Sequence, residues 1–288
     1  MKQASIVGAS GFVGRALTAA LKEAGWRVIS LGRLDMEAPT KTLRERLEES
    51  SLVVNLAGAP ILARWSEAYK KELYESRVTT TARLVEAMSL LANKPDTFVS
   101  TSAVGLYAPG GPHTESSYRL GNDFLSLLCQ EWERRANEAS LLGVRTVITR
   151  FGVVLGAGGG ALAQMLPIFK LGLGGVIGSG KQPFPWIHLD DLVLALLFVV
   201  SNSHLEGAFN FVAPEIVNNK EMTKTLAQIL RRPAFLPVPE FALRLLYGEG
   251  ARVLTSGQEV VCERLLASGF VFRYPTLRSA LESIIYKG

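Results

Sequence analysis

The 288-residue sequence has little cysteine, little histidine and no dense run of charge. Its two cysteines, Cys129 and Cys262, are too few for a disulfide framework or a thiolate metal site, and its three histidines form no cluster with metal-ligand spacing. We therefore expect no metal centre. The 31 lysines and arginines occur singly or in pairs among 26 acidic residues, which predicts an ordinary solvated surface and no nucleic-acid interface.

The sequence also lacks an apolar run long enough to cross a membrane. The apolar run at 192–200 has about half of the ~20 residues that a spanning helix needs, and the uncharged segment 151–169 is interrupted by consecutive glycines and a proline. The first residues lack the hydrophobic core and the cleavage site of a signal peptide. We expect a cytoplasmic protein that does not bind membranes.

What the sequence does contain is a large apolar fraction in an alternating pattern. Hydrophobic residues make up 48% of the chain and charged residues 20%, which provides a sizeable core and excludes a disordered chain. Apolar runs typical of strands alternate with amphipathic stretches typical of helices at 3–7, 12–24, 26–31, 52–57, 66–91, 97–103, 123–142 and 144–150. This alternation predicts an α/β fold with a Rossmann-type, doubly wound parallel sheet.

The composition changes after Arg150. A Gly-rich segment follows, and regular structure resumes with a helix for which we expect Asp190 or Asp191 to be the N-cap. A helix at 219–230, the short run AFLPV at 234–238 and a helix after Pro239 suggest a small α/β substrate lobe. We predict an NADP-binding domain over 1–230, with segment 156–186 contributing to the substrate pocket, and a small C-terminal domain over 231–288.

The cofactor prediction starts from glycines at the end of the first strand. Gly8, Gly11 and Gly14 have G-x-x-G-x-x-G spacing and open the first helix. Glycine lets the backbone turn sharply and approach a pyrophosphate, and the helix N-terminus offers free N–H groups and the positive end of its dipole. The pattern predicts a dinucleotide site, with contacts from Gly8, Ser10, Gly11, Phe12, Val13 and Gly14.

The end of the second strand distinguishes between the two nicotinamide cofactors. It carries Gly32 and Arg33 in place of the acid that holds a free ribose 2′-hydroxyl. Arginine can grip a 2′-phosphate with two charge-assisted hydrogen bonds. We therefore predict NADP (NADPH) as cofactor, although Asp35, two residues further on, weakens the inference.

Several blocks of sequence resemble one family along almost the whole chain. They include GASGFVG at 8–14, VNLAGAPI at 54–61, ESRVTTTARLVEAM at 75–88, SAVGLY at 102–107 and NFVAP at 210–214. These blocks resemble the extended or atypical short-chain dehydrogenases/reductases, in the epimerase-family group labelled sugar-nucleotide epimerase-like or cell-division-inhibitor-like, which has its own small C-terminal domain. The resemblance implies further cofactor contacts from Gly32, Arg33, Leu56, Ala57, Gly58, Glu72, Arg77 and Val154. Glu72 and Arg77 stand five residues apart and need not share a helix face, so a solvated role is the alternative for both.

The sequence departs from that family where the chemistry is performed. Active members pair a serine with a Tyr-x-x-x-Lys motif, in which the tyrosine relays a proton and the lysine lowers the pKa of the tyrosine. Ser102 matches the serine, but Leu125 and Cys129 replace the tyrosine and the lysine. We expect Ser102 and Tyr107 to be the polar pair nearest the nicotinamide.

Other roles remain open at this point. Tyr118 and His188 are alternative proton donors, and Cys129 is either catalytic or part of an apolar face.

The favoured function is an NADP(H)-binding, epimerase-like oxidoreductase with an unknown small-molecule substrate, either a nucleotide sugar or a small carbonyl compound. The missing Tyr-Lys pair favours an alternative, a non-catalytic NADP(H) sensor or regulator. A third alternative is a partner-binding protein with a vestigial cleft. The long helices at 66–91 and 123–142 are candidates for the interface of a homodimer.

Overall fold

The central feature of the fold is a six-stranded parallel sheet with the strand order β2-β1-β3-β4-β6-β9. The structure, a computed structural model, describes residues 2–287. The six strands are β1 Gln3–Val7, β2 Arg27–Leu31, β3 Leu52–Asn55, β4 Thr97–Ala103, β6 Arg145–Phe151 and β9 Gly207–Phe211. The predicted α/β fold with a doubly wound parallel sheet is confirmed.

Two small parallel pairs flank this sheet. β5 (Gly110–His113) pairs with β10 (Gln258–Val260), and β7 (Val153–Leu155) pairs with β8 (Trp186–His188). The first pair joins the loop after β4 to the C-terminal region.

Helices cover both faces of the sheet. Their bounds are α1 Phe12–Glu23, α2 Arg33–Glu37, α3 Thr40–Leu47, α4 Glu67–Tyr74, α5 Thr80–Ser89, α6 Phe124–Asn137, α7 Gly160–Lys170, α8 Leu189–Ser201, α9 Asn219–Leu230, α10 Glu240–Tyr247, α11 Arg252–Thr255, α12 Glu263–Ala267 and α13 Leu277–Lys287. The helix predicted over 66–91 is divided by a π-helical turn at Glu75–Thr79. None of the helices in residues 2–287 combines the length and apolar character needed to cross a bilayer.

The strands β1, β3 and β6 are buried along nearly their whole length because both faces of the sheet are covered. Ile6 and Val54 face one layer of the core, where Leu17 of α1 packs. The next residue along β1, Val7, faces the opposite layer, where Leu84 of α5 packs. Successive side chains of a strand point to opposite faces, so a sheet covered on both sides buries nearly every position of its inner strands and favours apolar residues there.

The C-terminal region shares its core with the preceding domain. Phe270 and Phe272 belong to the same buried cluster as the residues of α1 and α8. Leu277 and Leu281 of α13 pack with Met222 of α9 in a further cluster. Residues from both sides of the predicted domain boundary near residue 230 therefore share hydrophobic clusters. The division into two domains stays a prediction.

The start of α8 differs from the prediction. Its N-cap is His188, whose Nδ1 accepts the N–H of Asp190 at 3.0 Å. Asp191 is fully buried and accepts the N–H groups of Arg273 and Tyr274 at 2.7 and 2.9 Å. The predicted capping by Asp190 or Asp191 is wrong, because Asp191 instead anchors the segment that leads to α13.

The run AFLPV at 234–238 was expected to be part of a small α/β lobe. It forms no strand, and only Val238 makes an isolated bridge, to Ile177. Two prolines in the stretch 233–237 limit the N–H groups available for a ladder.

Candidate functional site

The order in which the chain adds strands to the sheet reverses at β1, because β2 lies on one side of β1 and β3 lies on the other. Ligands of open α/β sheets bind in the crevice at such a point, beyond the carboxyl ends of the strands. Gly8 follows β1 there with φ +81°, and a Cβ at this position would lie 2.9 Å from the carbonyl oxygen of Leu56, after β3. The sequence motif and the topological crevice therefore coincide.

Gly14 and Gly11 of the motif need to be glycine for different structural reasons. Gly14 is buried, and a Cβ there would lie 2.1 Å from the carbonyl oxygen of Gly8. Gly11 is the exposed N-cap of α1, where a Cβ would meet only that carbonyl, at 3.2 Å. Gly14 thus allows the loop to close against the helix, while Gly11 leaves the space in front of the helix open, with Ser10 exposed beside it.

The first turn of α1 has unused hydrogen-bond donors. Gly11 donates to the Gly8 carbonyl and Arg15 donates to the Gly11 carbonyl, but the N–H groups of Phe12, Val13 and Gly14 find no acceptor within residues 2–287. Free N–H groups at the positive end of a helix dipole form an anion site. This arrangement fits the pyrophosphate of a dinucleotide.

The ring of Phe12 explains why the segment after β7 is rich in glycine. Cβ atoms at Gly156 and Gly160 would each lie 2.9 Å from its ring, and one at Gly159 would lie 2.3 Å from it. The ring therefore occupies the space that side chains would need. Val154, on β7, is half-buried next to this contact and packs against the same core cluster as Val13.

After β2, the side chains of Asp35 and Arg33 have different surroundings. Asp35 accepts the N–H of Gly32 at 2.8 Å and forms a salt bridge to Arg46 at 3.2 Å. Arg33 is exposed, and no acceptor for its guanidinium lies within residues 2–287. Asp35 is thus already engaged, whereas Arg33 remains available to a phosphate.

The loop after β3 is held by a residue that the sequence analysis missed. Buried Asn55 accepts the N–H of Ala57 at 3.1 Å and donates to Thr81 at 2.8 Å. Leu56 and Ala57 are half-buried and Gly58 is exposed beyond them. The sequence LVVNLAG contained a signal for this role, because Asn55 is a polar residue at the end of an apolar strand.

Glu72 of α4 and Arg77 of the π-helical turn both influence the pKa of Tyr69. Burial and the charge of Glu72 raise the pKa of Tyr69, while Arg77 lowers it, so both charges act on one phenol. Glu72 is exposed. Arg77 is half-buried and donates to the carbonyl of Ala59 at 2.9 Å, next to the cofactor loop. π-Helical turns occur frequently at functional sites.

Ser102 and Tyr107 lie in one chain of buried hydrogen bonds. Ser102 donates to Glu133 at 2.7 Å, and Glu133 accepts two 2.8 Å bonds from Arg150. Arg150 also donates to the Tyr107 hydroxyl at 2.8 Å, and that hydroxyl donates to Asn210 at 2.6 Å. We call these five residues the buried network. Glu133, Arg150 and Asn210 come from elements far apart in sequence, which is why the analysis of motifs missed them.

The buried network leaves neither predicted catalytic hydroxyl accessible. Ser102 and Tyr107 are each 1% exposed. Burial raises the pKa of Tyr107 to about 12, despite the opposing influence of Arg150. Burial alone would lower the pKa of Arg150, but its hydrogen bonds and ion pair with Glu133 outweigh this and raise it. A phenol with so high a pKa, already donating to Asn210, is poorly suited to proton transfer.

Leu125 and Cys129 occupy the positions of the missing Tyr-Lys pair, and both side chains pack against the rest of the protein. Leu125 covers Gly105, where a Cβ would lie 2.7 Å from its Cδ2. Cys129 is buried, and burial raises the pKa of its thiol to about 12. Of the two alternative donors, His188 is engaged as the N-cap of α8, whereas Tyr118 packs its ring over Arg150 and is 42% exposed.

The comparisons with known proteins agree with this geometry. A model of the NAD dependent epimerase/dehydratase family matches residues 4–218, and a domain of unknown function (DUF1731) matches residues 238–284. The chain is 40% identical over 289 residues to the epimerase family protein SDR39U1 of Mus musculus, covering 96% of this chain and 98% of that protein. It is 40% identical over 300 residues to the chloroplastic SDR39U1 homolog of Arabidopsis thaliana, covering 98% and 86%.

Solved structures show the same fold. The crystal structure of human epimerase family protein SDR39U1 (isoform 2) with NADPH superposes with a TM-score of 0.91 at 36% identity, over 99% of this chain and 100% of that one. MoeE5 in complex with UDP-glucuronic acid and NAD has a TM-score of 0.81 at 22% identity, over 99% and 98%, and shows the shared fold alone. The resemblance drawn from the motifs is confirmed, and the chain belongs to the NAD dependent epimerase/dehydratase family.

Proposed function

We propose that this protein is an NADP(H)-dependent oxidoreductase of the epimerase family. The observation that carries the proposal is the set of unfilled donors around the crevice: the free N–H groups of Phe12, Val13 and Gly14, and the unpaired Arg33 within residues 2–287. These groups would hold the pyrophosphate and the 2′-phosphate of NADP. We call residues 8–14, 32–33 and 56–58 the cofactor cradle. The NADPH in the structure of the human relative supports this assignment.

Bound NADPH would supply a hydride to the carbonyl carbon of a substrate in the same crevice, and the carbonyl oxygen would take its proton from solvent. The Gly-rich segment 156–186 reaches the cofactor cradle through the contact of Phe12 with Gly156, Gly159 and Gly160, which supports a role of this segment in the substrate pocket. A small carbonyl compound or a nucleotide sugar is the substrate class that fits hydride transfer in this family. Ser102 and Tyr107 would support the wall of the crevice from within the core, not exchange protons with the substrate.

Cofactor choice tests the proposal directly. We expect NADPH to bind roughly ten- to a hundredfold more tightly than NADH, because one charge-assisted contact to the 2′-phosphate contributes ~1.5 to 3 kcal/mol. Arg33→Ala should remove the preference and leave NADH affinity unchanged. Fluorescence titration of both nucleotides against both proteins measures this. Equal affinities in the unaltered protein would contradict the assignment of NADP.

A second function, a non-catalytic NADP(H) sensor, is favoured by the burial of Ser102 and Tyr107 and by Leu125 and Cys129. A panel of aldehydes, ketones and nucleotide sugars, followed by NADPH absorbance and product analysis, separates the two functions. Turnover of any member supports the oxidoreductase. Micromolar or tighter NADPH binding with no turnover across the panel supports the sensor.

A further inference from the structure

The surface around α7 and α10 carries a concentration of exposed hydrophobic side chains. They come from α7 and the turn after it, from the stretch between α9 and α10, and from α10 itself. Six of them are each 50–75% exposed, and we call these six the apolar patch: Ile168, Leu171, Leu173, Phe235, Phe241 and Leu245. At about 150–200 Å² for a fully exposed side chain of this size, the patch presents roughly 600–800 Å², above the ~300–600 Å² of the largest patch on a typical monomer.

The segments that carry the apolar patch lie side by side. A Cβ at Gly172 would lie 3.3 Å from the ring of Pro233, so the turn after α7 touches the stretch after α9. Val238 donates to the carbonyl of Val176 at 2.9 Å, and α10 begins two residues after Val238. The patch is therefore one surface assembled from three segments, not a set of scattered side chains.

Helix α10 turns two residues of the patch away from the protein. Leu243 is buried, and Phe241 and Leu245 lie two residues before and two residues after it. Successive residues of an α-helix are about 100° apart, so residues two positions away point nearly opposite to Leu243. Phe241 and Leu245 therefore project outward and do not line a pocket.

Unpaired cations border the apolar patch. Lys170, Lys224, Arg231 and Arg232 are exposed, and none of them forms a salt bridge within residues 2–287. The last three line a groove of about 430 Å³ at the C-terminal end of α9. Arg231 ends α9 with φ +51°, where glycine or asparagine is usual, so this arginine is present despite a backbone cost.

Apolar side chains bordered by cations fit a negatively charged lipid surface. The apolar groups enter the boundary between headgroups and acyl chains, and lysines and arginines attract anionic headgroups. A fluid bilayer needs no shaped counterpart, which suits side chains that project outward.

A second copy of this chain fits the same surface less well. A two-fold contact would place the unpaired cations of one copy against the same cations of the other, and like charges repel. Glu240, an acid at the start of α10, lies 3.8 Å from Arg244 of the same helix and so balances a cation outside the unpaired set.

We propose that the apolar patch and its bordering cations dock the protein on an anionic lipid bilayer. A protein docked in this way lies on the membrane and does not cross it. The lack of a long apolar run led us to expect no membrane binding, but a patch assembled from three segments leaves no such run in the sequence. Docking is independent of the proposed NADPH binding, which uses the cofactor cradle.

The test is sedimentation of the full chain with lipid vesicles. Vesicles of equal parts phosphatidylserine and phosphatidylcholine should carry the protein into the pellet. Vesicles of phosphatidylcholine alone should bind it at least about tenfold more weakly, because each lysine or arginine near an anionic surface contributes a factor of about five. Raising the salt concentration should weaken binding to the mixed vesicles.

Two double variants separate the charged and the apolar contributions. Arg231→Gln/Arg232→Gln should weaken binding to the mixed vesicles roughly tenfold or more. Phe235→Ser/Phe241→Ser should weaken it by about tenfold or more as well, because the apolar area that enters the bilayer is lost. All four side chains are exposed, so the melting temperature and the Kd for NADPH should stay unchanged in both variants.

Matched controls lie elsewhere on the surface. Lys22→Gln/Lys41→Gln removes the same net charge from α1 and α3, and Leu141→Ser removes an exposed leucine after α6. Both should leave vesicle binding unchanged. Failure of the unaltered protein to bind the mixed vesicles, or equal binding to both kinds of vesicle, would overturn the proposal. So would a dimer, detected by sedimentation velocity, that Phe235→Ser/Phe241→Ser dissociates while vesicle binding is unaffected, because the patch would then belong to a second copy.

Discussion

The cofactor cradle and the buried network lie at the ends of neighbouring strands but differ in how their polar groups are satisfied. In the cradle, the N–H groups of Phe12 and Val13 find no protein acceptor within residues 2–287. In the network, Ser102 and the Tyr107 hydroxyl each have a partner inside the protein. Free N–H groups at a helix N-terminus beside a crevice can bind an anion, whereas buried polar groups paired within the protein hold the fold together. The donors of the cofactor cradle are therefore open, whereas the region of Ser102, Tyr107 and Cys129, which we call the catalytic half of the candidate site, is closed by the chain's own side chains.

The largest effect should come from breaking the buried network. Glu133→Gln leaves the Arg150 charge buried without its bidentate partner, and removing one member of a buried ion pair costs about 3–5 kcal/mol. We expect that loss in the free energy of unfolding, measured with urea, and no change in NADPH affinity under conditions where the variant is folded.

Two further variants control this prediction. Glu131→Gln removes a carboxylate that pairs at the surface with Arg134 and Arg135, and should cost at most about 1 kcal/mol. Glu133→Gln/Arg150→Met should recover much of the stability, because no unpaired charge remains. A loss of NADPH affinity in Glu133→Gln equal to that of a cradle variant would remove the distinction between the two regions.

Substitutions in the cofactor cradle should separate binding from folding. Gly14→Ala places a Cβ 2.1 Å from the Gly8 carbonyl and should lower stability by about 1–3 kcal/mol as well as abolish tight NADPH binding. In Gly11→Ala the new Cβ meets only the Gly8 carbonyl, and φ at this position is −70°, which alanine adopts readily. The substitution should therefore weaken NADPH binding about tenfold or more while lowering the free energy of unfolding by under about 1 kcal/mol. Paired titrations and thermal melts measure both quantities. Unchanged NADPH affinity in Gly11→Ala would mean that the cofactor does not approach this helix end.

Tyr107 allows the network to be tested by pH. Tyr107→Phe leaves Arg150 and Asn210 each without one hydrogen-bond partner and should cost about 1–3 kcal/mol at pH 7. The pKa of Tyr107 is raised to about 12 from 10.0, so its neutral form is favoured in the folded state. This contribution is complete below pH 10 and is lost as the pH rises from 10 to 12.

The difference in stability between the unaltered protein and Tyr107→Phe should therefore shrink between pH 10 and pH 12. Urea unfolding of both proteins at several pH values measures it, and shifts from other groups cancel in the comparison. If Tyr107 were instead a proton donor open to the crevice, the difference would not depend on pH in this range and turnover would fall in Tyr107→Phe.

The same contrast separates what the sequence could predict from what it could not. The first strand, α1 and the glycine motif were predicted because their signal lies within neighbouring residues: a buried strand, then glycines, then an amphipathic helix. The surroundings of Ser102 could not be predicted, because Glu133 and Arg150 reach it from another helix and another strand. The availability of Arg33 was equally hidden, since it depends on Asp35 being held by Arg46 and the Gly32 N–H. Local chemistry is visible in a sequence, whereas the partner of a side chain is decided by packing.

The smallest effect is expected at Cys129, which lies between the two regions. Cys129→Ala removes one buried sulfur atom, so we expect a loss of about 1 kcal/mol in the free energy of unfolding and no change in NADPH affinity. Because burial raises the pKa of this thiol to about 12, it should also resist maleimide in the folded protein and react only after unfolding. Cys262→Ala, at a second buried thiol, is the matched control. Loss of NADPH-dependent turnover in Cys129→Ala but not in Cys262→Ala would show instead that the thiol takes part in the chemistry, and that the catalytic half of the site is not closed.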